Sequence, residues 1–180
     1  MVCNSLYKNK GKNKLKIKIN LKNEISSNLA NEKTLKKVAK QVLNIFGQKK
    51  AKITVTVFYV DEKRIRQINK EYRQTDKPTD VISFRLLENL ENKSLTQKNF
   101  PFDFDPASKT IYFGEIFICE SIAKSQAKEF KNSTYREGVE LFVHGLLHLL
   151  GCDHHKKEET EIMKNYELQM IEILNKMKIY

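Results

Sequence analysis

Residues 144–155 read HGLLHLLGCDHH, and this segment restricts the fold more than any other stretch of the chain. His144 and His148 are four residues apart, and Leu141, Phe142 and Leu149 around them suit a helix. Residues i and i+4 of a helix share one face, so two imidazoles converge there. Gly151 follows three residues after His148. Glycine readily takes the left-handed conformation that ends a helix and turns the chain, which lets His154 fold back as a third ligand. A lone His pair at this spacing is as often an ordinary surface or core pair. Here three of only four histidines fall within eleven residues, with a helix-breaking glycine between the second and third. His144, His148 and His154 are therefore the candidate metal ligands. Three protein ligands leave one position open, the catalytic rather than the structural zinc arrangement. His155 is expected to be a solvent-facing or supporting neighbour. Asp153 is expected to orient a ligand histidine or to cap the next helix. Cys152 is a soft donor beside the site and a weaker ligand candidate.

The spacing matches the H-E-x-x-H-x-x-G-x-x-H pattern of metzincin proteases. That chemistry needs a glutamate after the first histidine as general base. Gly145 stands there instead and cannot take a proton. The motif thus argues for the metal geometry and against peptide hydrolysis by that route.

The rest of the chain reads as one ordinary domain of 180 residues, with residues 1–14 a flexible Lys-rich arm and 15–180 the folded part. Leu15, Ile17, Ile19 and Leu21 alternate with polar residues as in a half-buried strand. Leu35, Val38, Ala39, Val42 and Phe46 recur at helical spacing, and Gly47 suits the stop. Lys52–Val60, Val81–Leu87 and Thr110–Cys119 read as strands. Asp61 is placed to cap a helix carrying Ile65, Ile68 and Tyr72, and Pro78 ends that helical run. Residues 88–109 form a polar excursion with alternating Phe and Asp, a surface loop or a short β-excursion. Helices are expected at 120–131, 134–150 and 156–178. This order implies an α+β domain with one central sheet.

Charge is uneven. Residues 1–52 carry 14 Lys against two acids, a net +12, and the remainder has 19 basic and 20 acidic side chains, a net −1. A clustered positive field attracts polyanions, although lysines also serve solubility alone. Three widely spaced cysteines suggest no disulfide framework and fit a reducing cytoplasm. No apolar run is long enough for a membrane helix, and the N-terminus lacks the apolar middle of a signal peptide.

The motif H-G-x-x-H-L-x-G-x-D-H from His144 to His154 resembles that of the YbeY family of metal-dependent endoribonucleases. Two further blocks carry the resemblance: YRQTDKPTDVISF (Tyr72–Phe84), and FGEIFIC (Phe113–Cys119), a strand with Gly followed by an acid. Met163 and the helix after it also fit, so the likeness covers roughly residues 53–178. Cys152, where the family often has Tyr, and Arg85, where Pro is common, depart from the pattern. The resemblance implies a mixed four-stranded sheet packed with about five helices, a cleft holding the three histidines, and Arg73 facing that cleft. It also implies cleavage of single-stranded RNA in 16S rRNA 3′-end maturation and ribosome quality control. The implied partners are ribosomal RNA, the small ribosomal subunit with one of its proteins, and an Era-type GTPase, with no membrane.

Within that frame Arg73 and His148 are the candidate catalytic residues. The planar guanidinium of Arg73 suits a phosphate and the charge that develops when a phosphodiester breaks. Its plainer role is a salt bridge to Asp76, Asp80 or Glu71. Ser83, with Arg73, is a candidate substrate contact, and Asp80 most simply fixes the turn before its strand. Glu115 is a candidate acceptor behind the ligands, or a partner for a lysine. Tyr72 and Phe84 are aromatic residues near the cleft that suit stacking on bases, with core packing the simpler role for Phe84. The cofactor expected is one divalent transition metal ion, zinc first and nickel as the alternative, since imidazole suits both. Two other readings remain open: a hydrolase of another substrate, and a ribosome-assembly factor with a structural metal.

Overall fold

A computed structural model describes residues 15–88, 90, 93–154 and 156–180. The Lys-rich arm expected at 1–14 and the neighbour His155 lie outside the described residues. Five strands and five helices follow in the order β1 (Lys16–Asn23), α1 (Glu32–Ile45), β2 (Lys52–Val60), α2 (Glu62–Arg73), β3 (Val81–Arg85), β4 (Phe104–Asp105), β5 (Thr110–Cys119), α3 (Glu120–Glu129), α4 (Thr134–Leu149) and α5 (Lys157–Lys176).

The strands form one mixed sheet in the order β1-β2-β5-β3, with β4 also paired to β5. β1 and β5 run parallel to β2, and β3 and β4 run antiparallel to β5. The two central strands, KITVTVFYV and TIYFGEIFIC, are mostly buried on both faces, with Thr54, Thr56, Thr110 and Tyr112 satisfying one another by hydrogen bonds on the face away from the main core. β1 keeps its period-two pattern, with Ile17 and Ile19 buried and Lys16 and Lys18 exposed, as an edge strand should.

The main core lies between one sheet face and α1, α4 and α5. Ile53, Val55, Val57 and Ile116 meet Leu35, Val42, Phe142 and Leu146 there. A smaller cluster under α2 joins Val60, Ile65, Ile68, Ile82, Phe117 and Cys119 on the other face. Helix starts are fixed by side-chain caps: Asn31 accepts from Thr34 N at 3.0 Å, Asp61 from Arg64 N at 2.7 Å and Ser133 from Arg136 N at 3.1 Å.

The four-stranded sheet expected from the sequence has a fifth strand. β4 arises inside the 88–109 excursion, where Phe104 pairs with Ile111. Its return turn is tied by the Asp105 carboxylate, which accepts from Ala107 N at 2.9 Å and Ser108 N at 3.1 Å. The excursion is also anchored further back. Leu95 is fully buried, and Gln48 accepts from Leu95 N at 2.8 Å while donating to Lys93 O at 3.0 Å. The third strand ends at Arg85, two residues sooner than its apolar run suggested. Leu87 is buried, but it packs into the main core without strand pairing.

Candidate metal centre and its cleft

α4 delivers the first two histidines. Gly145, between them in sequence, lets the helix lie close on the sheet: a Cβ there would stand 2.8 Å from Ile116 Cγ2. The residue that removes a general base thus also sets the depth of α4. The helix ends where the sequence placed its stop. Gly151 has φ +91, a conformation costly for any residue with a Cβ, and its N–H closes on His148 O at 2.9 Å. Cys152 N donates to Leu147 O at 2.9 Å, and the chain then turns so that His154 faces the pair.

One ligand atom from each of His144, His148 and His154 lies within 4.8 Å of the other two. His144 and His148 are half-buried and His154 is exposed. The proton positions follow from the partners. His148 Nδ1 is 3.0 Å from Cys152 O, and a carbonyl only accepts, so Nδ1 carries the hydrogen. His144 Nδ1 is 2.7 Å from Glu167 Oε1, and a carboxylate likewise accepts. With both rings neutral, the two Nε2 atoms face each other at 3.1 Å as acceptors, an arrangement that a cation held between them satisfies. The donor set therefore fits a divalent metal held by imidazole nitrogens, with the His144 and His148 rings each oriented through the far nitrogen. Burial, then the neighbouring histidines, pulls the His148 pKa down to about 4, which keeps it in the neutral ligand form at neutral pH.

The histidines open into a cleft of about 710 Å³ lined also by Arg73, Ser83, Arg85, Asp80 and Asp153. Arg73 is the last residue of α2, and Gln74 closes that helix in the left-handed conformation at φ 54. Of the three acids offered as ion-pair partners for Arg73, Asp76 and Asp80 accept hydrogen bonds from other residues. Asp76 takes Arg66 Nε at 2.8 Å and Lys70 Nζ at 3.2 Å.

The chain belongs to the YbeY family. The model of that family, described as endoribonuclease YbeY, matches residues 19–177. Proteins named endoribonuclease YbeY are similar along about two thirds of the chain. The one from Clostridium botulinum strain 657 is 36% identical over 124 residues, 67% of this chain and 75% of that protein. The one from Heliobacterium modesticaldum is 38% identical over 117 residues, 65% of this chain and 67% of that protein. A solution structure of a Thermotoga maritima protein is 28% identical and covers 91% of this chain and 94% of its own, with a TM-score of 0.52.

Against the YbeY expectations, the structure gathers His144, His148, His154, Arg73, Ser83 and Asp153 around one cleft. Asp153 accepts from His154 N at 2.8 Å, whereas α5 is capped from Lys156. Cys152 meets the site through its carbonyl, and its side chain is buried. Asp80 ties the turn into β3, accepting from Val81 N at 2.7 Å and from Gln126 Nε2 at 2.9 Å. Glu115 is not among the cleft-lining residues and accepts from Tyr112 Oη at 2.7 Å. Tyr72 is 62% exposed and stands edge-on to Phe84 at 4.9 Å, so Phe84 packs while Tyr72 presents a ring to solvent.

At the site, the sequence reading passed over Glu167 and took Arg85 only as a departure from the family pattern. Glu167, which orients His144, lies 23 residues beyond it on α5. Its signal was an acid in line with Met163, Met170 and Leu174, the buried stripe of that helix. Arg85 lines the cleft, with Nη1 2.8 Å from where a Gly151 Cβ would stand, and is held by Nε donating to Leu87 O at 2.8 Å.

Proposed function

We propose that this chain is a metal-dependent endoribonuclease that cuts single-stranded RNA in the cytoplasm, in the 3′-end maturation of small-subunit ribosomal RNA. The observation that carries the metal half is the convergence of His144, His148 and His154, whose ligand atoms lie within 4.8 Å of one another. Membership of the endoribonuclease YbeY family carries the RNA half. Zinc is the metal proposed, with nickel as the alternative, and when bound it supplies Lewis acidity at a phosphoryl oxygen.

The chain's own residues supply the rest. His144, His148 and His154 hold the ion. Glu167 and the Cys152 carbonyl hold the first two rings in the tautomer that ligates. Arg73 offers a planar fork to the scissile phosphate and stabilises the charge that grows on its oxygens. Ser83 lies on the same wall and donates to a phosphate or ribose oxygen. Arg85 adds a second guanidinium to the cleft, so a polyanion is drawn in from two sides. A ribosomal protein of the small subunit and an Era-type GTPase are the proposed partners.

The test is cleavage of 3′-extended small-subunit rRNA by wild type, Arg73→Ala and His148→Ala, with metal content measured on each. Arg73→Ala should lose about 10²–10³-fold in rate with its metal retained. His148→Ala should lose both metal and cleavage. Equal cleavage by all three would overturn the proposal.

A further inference from the structure

A second cavity lies away from the histidines and shares no lining residue with their cleft. Its volume is about 480 Å³, and the 88–109 excursion builds much of its wall through Leu95, Thr96, Gln97, Phe104 and Pro106. The remaining wall carries three lysines, Lys50, Lys52 and Lys109. Lys16 is exposed directly across from Lys52 on the paired strands, and Lys18 is exposed two residues on. The acid that meets this group is Asp105, whose carboxyl is held low mainly by hydrogen bonds from Ser108 and Ala107, with Lys18 adding to the effect. Among the described residues, five lysines stand against Asp105 and its near neighbour Asp103, which leaves the patch positive. Two residues before Phe104, the ring of Phe102 is fully exposed. Phe102 thus offers a bare ring within two residues of the cavity-lining Phe104, open for a planar group to stack on.

We propose that this lysine-lined cavity is a distal anchoring subsite for single-stranded RNA, engaging backbone phosphates away from the scissile bond while Phe102 stacks on a base. The inference rests on the RNA reading of the histidine cleft and extends it to how the substrate is held. Lysine point charges beside an exposed ring are the combination that tracks a single strand without reading its sequence. Five lysines spread along two paired strands and the cavity rim suit a run of regularly spaced phosphates, and every base offers a face to the exposed ring. Separate anchoring also suits an enzyme whose cleft carries only two guanidiniums: binding energy from a remote part of the substrate raises occupancy without altering the chemical step.

The test compares wild type with K50Q/K52Q/K109Q in binding a labelled single-stranded RNA of about 30 nucleotides, by anisotropy across a potassium chloride series. The triple variant should bind about tenfold more weakly, and the slope of log K against log salt should fall by about 2, at roughly 0.7 per phosphate contact on a single strand. The Arg triple K50R/K52R/K109R should restore both. Neutralising three exposed lysines of α1 instead, Lys33, Lys37 and Lys40, should leave the slope within about 0.5 of wild type. Cleavage of a dinucleotide, whose single phosphodiester cannot occupy both regions at once, should be the same in wild type and the cavity variant. An unchanged slope in the cavity variant, or an equal loss in the α1 variant, would overturn the subsite. If the slope changes as expected but wild type, loaded with metal, cleaves no RNA, the endoribonuclease reading fails and the subsite stands. A bound acidic protein competing with RNA for wild type but not for the cavity variant, with no loss on F102A binding of RNA, would overturn the choice of occupant.

Discussion

At the residue scale, the centre depends on which histidine nitrogen carries a proton. The Glu167 carboxylate takes the Nδ1 hydrogen of His144 and leaves Nε2 bare for a cation. Glu167→Gln keeps the shape, but an amide can present its NH2 to Nδ1 and so favour the wrong tautomer. We expect metal affinity to fall about 10–100-fold, read by competition with a zinc chelator, with the melting temperature of the metal-free protein little changed. His148 gives a pH prediction. Its pKa is about 4 in the fold against 6.5 as a free side chain, because burial and two neighbouring imidazoles disfavour the charged form. Between those values the unfolded chain binds the proton and the folded chain does not, so stability rises with pH there. The metal-free protein should therefore lose stability as pH falls from 6.5 toward 4. Urea unfolding across that window checks this, and His148→Asn should flatten the dependence.

At the element scale, α2 holds Arg73 at its last turn, and the two ends of that helix contribute differently. Asp61 caps the start, far from the cleft, so Asp61→Ala should cost about 1 kcal/mol of stability and change cleavage less than threefold. Asn69 acts near the other end. It is buried, donates from Nδ2 to Lys77 O at 2.8 Å, and its carbonyl accepts from Thr75 N at 3.2 Å. These bonds tie the 74–79 loop to the helix that positions Arg73. Asn69→Ala should lower kcat/KM for RNA about tenfold with metal content intact, since a small misplacement of a charge-stabilising group is costly to the rate. Rate measurements on both variants, with melting temperatures, separate a positioning loss from simple unfolding.

At the scale of the whole molecule, the metal centre joins parts of the chain that are far apart in sequence. α4 lies on the sheet, α5 lies on α4, and Glu167 of α5 reaches His144 of α4. Metal binds the fold and not the unfolded chain, so it adds stability in proportion to its excess over the dissociation constant. Zinc at about 100–1,000 times that constant should raise the melting temperature of the chelator-stripped protein by about 5–15 °C. Dye-monitored melting with and without zinc reads it, and His148→Ala should show no rise.

What the sequence determined by itself was everything that depends on short-range geometry. The i, i+4 histidines, the glycine that must turn left-handed and the period-two strands are local consequences of backbone sterics and burial, so they were readable without the fold. The α-helical caps at Asp61 and the ends of β2 and β5 were legible for the same reason. The tertiary structure decided what local rules cannot reach. Glu167 reads as one more surface acid until α5 packs on α4 and brings it to a histidine 23 residues away. Glu115 reads as a possible support for the metal until strand pairing and the fold give its carboxylate to Tyr112. The 88–109 segment reads equally as a surface loop or a short β-excursion until β5 pairs with Phe104 and Asp105. Most of all, the lysines at 16, 18, 50, 52 and 109 are scattered along the sequence, and it is the parallel pairing of β1 with β2 and the anchored excursion that gather them into one surface. Charge adds up by distance in space, and only the folded chain sets that distance.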